Sequence, residues 1–202
     1  MTAMTIVELV CRGADHREAV SGPDGSALDY VSLCNAADAI GSALVARGVA
    51  PGERVASALR AGPELAAALI GTGAARAVFA PLPPLVDEPS ARAALRARDA
   101  RVLLAPAAPL PPGIRAAAAA LGVPVLRIGF DERGLALIDG EHVFEAHDRI
   151  AEPHDPAYAP LEGAPLTHEQ LVAAAGERGL AGLLDIVAGG TVPAAMRSGL
   201  AA

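Results

Sequence analysis

The residues best placed to do chemistry together are Asp155, Tyr158, Thr167, His168 and Glu169. An imidazole with carboxylates and a phenol can give and take protons, as a lyase, cyclase or hydrolase requires. No nucleophile, base and orienting group stand in series, so His168, Tyr158 and Asp155 are candidate catalysts and Thr167 and Glu169 candidate ligand contacts. The preceding stretch, EHVFEAHDRIAEPHD, sets His142, His147 and His154 among Glu141, Glu145, Asp148 and Asp155. Imidazoles beside carboxylates could hold zinc or iron. The histidine gaps of five and seven match no single helix face, where ligands stand three or four apart, so a solvated linker without metal is expected. Arg92, Arg96 and Arg98 could grip a phosphate or an acidic partner, although such a run commonly marks a solvated helix face. His16, between Asp15 and Arg17, reads as a solvated surface residue.

These side chains hang on a regular alternation of elements. Residues 28–84 read as one βαβαβ unit. Leu33, Ala37, Ile40 and Leu44 recur at the three-to-four spacing that sets one helix stripe against a core. Asp29 is placed to cap that helix and Gly48 to end it. Pro51-Gly52 turns into an apolar strand at 55–59, Pro63-Glu64 opens a second helix, and a strand follows at 77–82. Short buried strands between helices imply a parallel sheet. Ahead of this unit stand a helix-like run at 6–11 and a hairpin over 18–30. After it come a stiff proline-rich corner over 81–89, a helix from its cap Ser90 to Arg98, and a strand at 99–105. A helix at 114–121, a strand at 123–127 and an edge strand at 134–138 complete the series. Thr167 and Gln170 form a capping box for a helix over 168–176, with His168 expected at its surface.

Arg47-Gly48-Val49, Pro51-Gly52-Glu53-Arg54-Val55 and Ala77-Val78-Phe79-Ala80-Pro81-Leu82 follow in order. The series resembles the opening of the adenylate-forming enzymes: acyl-CoA synthetases, nonribosomal peptide adenylation domains and luciferases. Arg76 departs from the glycine usual there. The likeness is best over 27–127, lapses in a variable linker at 128–156, and returns as a shortened remnant over 157–202. Within that remnant, residues 180–192 are similar to a later helix and strand of the family. The resemblance implies an α/β fold, a three-layer open, mainly parallel sheet with helices on both faces, as a single truncated domain. It also implies a phosphate-cradling loop of glycines, hydroxyls and lysine after Tyr158. Here the chain reads Ala159-Pro160-Leu161-Glu162-Gly163-Ala164-Pro165-Leu166 and runs straight into Thr167-His168. That loop has no hydroxyl and no lysine, its two prolines bring no amide donor, and Glu162 sets negative charge where a triphosphate would lie. The family's later adenine and ribose motifs and its C-terminal lysine have no counterpart in the sequence.

All 16 cationic side chains are arginine. A GC-rich genome favours that bias, yet arginine is bulkier, planar and differently hydrated, so it does not simply replace a phosphate-binding lysine. The formal net charge of -7 argues against nucleic acid. No secretory leader pattern opens the chain, and Arg76 interrupts its most apolar stretch, so no membrane span is expected. Cys11 and Cys34 show neither metal nor redox spacing, Cys34 reads as a small buried hydrophobe, and a reducing cytoplasm is expected. The sequence-based expectation is a non-catalytic auxiliary or scaffold subunit of an acyl-activating biosynthetic pathway, with no cofactor. Deleted elements should leave bare apolar surface for a homodimer, a synthetase or a carrier protein, and an acyl or amino-acid-like molecule is a candidate ligand. The alternatives are a small repurposed enzyme with a collapsed pocket near Tyr158 and His168, and a decayed gene product.

Overall fold

The computed structural model describes residues 3–12, 14–83 and 87–189; residues 84–86 of the proline-rich corner and residues 190–192 of the expected helix and strand over 180–192 lie outside them. In chain order the elements begin α1 (Ile6–Cys11), β1 (Glu18–Ser21), β2 (Ala27–Asp29), α2 (Tyr30–Ala46), β3 (Arg54–Ser57) and α3 (Pro63–Ala74). There follow β4 (Val78–Pro81), α4 (Glu88–Arg98), β5 (Ala100–Pro106), α5 (Pro112–Leu121) and β6 (Val125–Phe130). The series closes with β7 (Ala136–Ile138), β8 (Pro156–Tyr158), β9 (Leu166–Thr167), α6 (His168–Ala175) and α7 (Gly179–Gly189).

The central sheet has seven strands in the order β7-β6-β5-β3-β4-β8-β9. The inner five run parallel, and β7 and β9 close the two edges antiparallel. Side chains alternate between the faces at the strand period of two. Val55, Phe79, Leu104 and Tyr158 join the core formed with α1, α2, α3, α6 and α7. Ala56, Leu103 and Ala105 join the core under α4 and α5. The expected three-layer α/β architecture is therefore present. No helix of the described residues is long and apolar enough to cross a membrane.

Local signals formed the elements they announced. Asp29 caps α2 by accepting the Ser32 amide, and Leu33, Ala37, Ile40 and Leu44 of its apolar stripe are buried. Four expectations are corrected. First, the strand at Leu28 does not enter the main sheet: β2 pairs antiparallel with β1 in a separate hairpin. The Gly22 amide closes that turn on the Ser26 carbonyl at 2.7 Å, and Asp29 passes directly into α2 with no room for a crossover. Second, Asp87 caps α4, while Ser90, inside the first turn, donates its amide to Asp87 at 2.7 Å. Third, the parallel strands, expected to be left partly bare, are covered by helices on both faces. The exposed large hydrophobics are Leu135, Phe144, Ile150 and Leu161, and the apolar residues of the parallel strands are buried. Alanine and glycine, abundant in the helices, leave little side-chain volume to be covered.

The fourth correction is a disulfide. Cys11 at the end of α1 and Cys34 in α2 are joined, with Cα atoms 5.8 Å apart. The premise of two unpaired thiols, on which the reducing compartment rested, does not hold. Their separation of 23 residues across two elements is invisible to local spacing.

α3 has the tightest surroundings, with all but one of its 12 residues buried. A Cβ on Gly71 would lie 2.5 Å from the Ala37 carbonyl oxygen and 2.9 Å from Ile40 Cβ, so glycine lets α2 and α3 touch backbone to side chain. Two outcomes are expected. Gly71→Ala should lower unfolding free energy by about 1–3 kcal/mol through overpacking, read by denaturant titration. Reducing the disulfide should cost about 3 kcal/mol, the loop-closure value for such a separation, and alkylation under non-reducing conditions should find no free thiol.

Candidate functional site

His168 and Asp155 lie at the C-terminal end of α3, while the other candidate side chains are engaged elsewhere. β9 pairs with β8, Pro156 opposite Thr167, and the Asp155 carbonyl accepts the His168 amide at 3.1 Å. His168 thus begins α6 as expected, yet it is completely buried, which corrects the surface placement. Its Nδ1 accepts the Ile6 amide at 3.3 Å, so the proton belongs on Nε2, which is buried without a partner. Gly73 makes the space: a Cβ there would meet His168 Cε1 at 2.8 Å and Ile6 Cδ1 at 2.9 Å. Burial pulls the imidazole down to about 4, only partly offset by Asp155 and Glu8. His168 is a neutral anchor for α1.

The other candidates have partners of their own. The Asp155 carboxylate meets the Arg76 guanidinium at 2.9 Å. Burial would raise that carboxyl, but the Glu152 amide and Arg76 outweigh it and hold it below the usual range. Tyr158 is buried, its hydroxyl 3.5 Å from the Ile186 carbonyl, and burial pushes it up to about 12. Thr167 closes a capping box with Gln170, and Glu169 pairs with His154 at 2.8 Å. Arg76 adopts φ 60°, the left-handed region that favours glycine. Its ion pair with Asp155 ties that turn to β8.

The loop between β8 and β9 is the one where the resemblance implies a phosphate cradle. Residues 161–165 are exposed, with Gly163 at φ 104°. Arg98, at the end of α4, reaches the loop base and donates from one Nη to the carbonyls of Ala159 at 3.1 Å and Pro160 at 2.6 Å. Sequence reasoning missed this clamp, having weighed Arg98 only within an arginine run. Of the others, Arg92 pairs with Glu88. The loop does not fit a nucleoside triphosphate: its nearby cation is turned onto its own carbonyls, and its side chains supply no hydroxyl or ammonium.

The linker histidines are dispersed. His142 lies 3.6 Å from Asp131, His147 accepts the Arg149 amide at 3.2 Å, and His154 faces Glu169. Among the described residues no group of three or more metal-ligating side chains is found. His16 meets Asp29 at 2.7 Å on an exposed edge. Sequence reasoning also missed a cleft of about 450 Å³ between α2 and residues 143–151. Its signal was available in part, as polar Asn35, Asp38 and Ser42 fall three and four apart along α2.

A mainly parallel sheet with helices on both faces is the architecture of the N-terminal part of an adenylate-forming fold. The profile of the AMP-binding enzymes matches residues 7–161, and the chain belongs to that family. No curated protein matches the chain. Among solved structures it is similar to a benzoate CoA ligase from Burkholderia xenovorans LB400, at 21% identity and TM-score 0.67, over 85% of this chain and 36% of that one. It is likewise similar to ATP-bound MatB from Rhodopseudomonas palustris, at 22% identity and TM-score 0.64, over 85% of this chain and 37% of the other. The AMPPNP-bound nonribosomal peptide synthetase FmoA3 shows 26% identity and TM-score 0.64, over 86% of this chain and 18% of that one. The chain thus spans little more than a third of the length of the first two.

His168 sets a pH dependence. Its folded value, about 4, lies below the unfolded 6.5, so the unfolded state binds the extra proton between them. Stability should be full above pH 6.5 and fall by about 3 kcal/mol as pH drops to 4. His168→Gln, which keeps an acceptor for the Ile6 amide, should flatten that segment of the unfolding free-energy curve.

Proposed function

We propose that this chain is a non-adenylating member of the AMP-binding family that works as an auxiliary or scaffold component beside an acyl- or amino-acid-activating enzyme. The observation that carries the reading is the β8–β9 loop. Its carbonyls hold Arg98, two prolines remove amide donors, and Glu162 stands exposed on it. An anion as dense as a triphosphate needs convergent N–H groups and cations, and this loop presents neither hydroxyl nor lysine. The retained family fold supports a role through surface recognition, with a synthetase or a carrier protein as the partner class. The repurposed-enzyme reading draws no support from Tyr158, His168 and Asp155, whose side chains are each engaged separately.

ATP–pyrophosphate exchange by the full chain, run with a panel of aliphatic, aromatic and amino acids, should stay at background. Exchange above background would overturn the non-adenylating reading. Added to a purified acyl-activating enzyme of the same host, the chain should raise its rate or soluble yield and co-elute with it. A chain that neither binds nor alters any such enzyme would remove the auxiliary role.

A further inference from the structure

The cleft between α2 and residues 143–151 stands apart from the loop that defines the family site. Residues 143–151 form a strap pinned across the ends of α2 and α3. Arg149 donates to the carbonyls of Val49 at 2.6 Å and Ala75 at 2.9 Å, so its charge is engaged at the ends of two helices. His147 packs over Gly41, where a Cβ would come within 2.7 Å of its Nε2. The strap is therefore fixed, yet it holds Phe144 at 88% and Ile150 at 80% exposure, both lining the cleft. Exposed side chains of that size on a pinned segment are surface waiting to be covered.

The opposite wall has one sign of charge. Asn35, Asp38 and Ser42 share one face of α2 and line the cleft. Ser42 is only 6% exposed and lines the cleft. Asp38 has no ion-pair partner there, and surrounding protein pushes its carboxyl above the ordinary value, with His147 offsetting part of that rise. Glu8, at the rim, is engaged by the Thr5 amide at 2.9 Å. A carboxylate without an ion-pair partner, a nearby serine and two apolar side chains around about 450 Å³ match a small ligand with a cationic head and an apolar body.

We propose that this cleft binds a small organic cation, a primary ammonium on an aromatic or branched aliphatic body. Asp38 receives the ammonium, Ser42 and Asn35 complete its hydrogen bonds, and Phe144 and Ile150 cover the body. An ammonium brings three donors to these acceptors, and an alcohol of the same shape brings one.

Titration of the full chain with phenethylammonium, followed by calorimetry and amide NMR, tests the site. Saturable shifts should map to residues 35–42 and 143–151, and 2-phenylethanol and 3-phenylpropionate should bind at least about tenfold more weakly. Asp38→Asn should weaken the ammonium about tenfold or more, as expected for losing a charge-assisted hydrogen bond. Phe144→Ala, at a side chain too exposed to serve folding, should weaken all apolar probes. Equal affinity for the neutral alcohol, insensitivity to Asp38→Asn, or no saturable shift with phenethylammonium or isobutylammonium would each overturn the proposal.

Discussion

The C-terminal end of α3 is the constraint from which the rest of the arrangement follows. That helix is apolar around its whole circumference, so it must be enclosed, and its small residues decide how closely each neighbour approaches. Gly71 receives α2, and Gly73 receives His168 and Ile6. The Ala75 carbonyl takes Arg149 of the strap, and Arg76 turns away in the left-handed region to meet Asp155. The six residues from Gly71 to Arg76 therefore fix the helix beside α3, the N-terminal helix, the strap and the residues that lead into β8. A change of one methyl group in this run is felt in all of them.

Much of the fold was legible because its signals are local. Asp29 and Thr167 cap the helices that follow them, and the 18–30 hairpin closes through its own turn. The strand at Leu28 was assigned to the wrong sheet because periodicity reveals a strand and not its partner. The site was less legible because its contacts cross long separations. The bond that buries His168 spans 162 residues, and the Arg98 clamp spans 62. The disulfide joins cysteines whose spacing matches no motif. Asp38 and Ser42 looked like an ordinary polar helix face until the strap, about a hundred residues later, closed over them.

The two sites differ in how their charges are arranged. At the β8–β9 loop the cation is already satisfied by carbonyls of the chain, so the surface presents no unmet demand for an anion. At the cleft the arginine is likewise engaged with carbonyls, but a carboxylate is left over. One arginine is drawn onto the loop's own carbonyls, and the other leaves Asp38 without an ion-pair partner. Net acidity over the whole chain is thus expressed locally, by which guanidinium groups have been drawn into structural work.

The grip of Arg98 on Ala159 and Pro160 acts as a ratchet in the history of the molecule. A lineage restoring the phosphate cradle would have to lengthen the loop and replace its prolines, and each such step disturbs the carbonyls that anchor α4 to the sheet edge. The cost is immediate, while the benefit waits for glycines, hydroxyls and a lysine together. On the proposed reading, descent from such a clamp runs one way, toward new uses of the surface and away from the ancestral reaction.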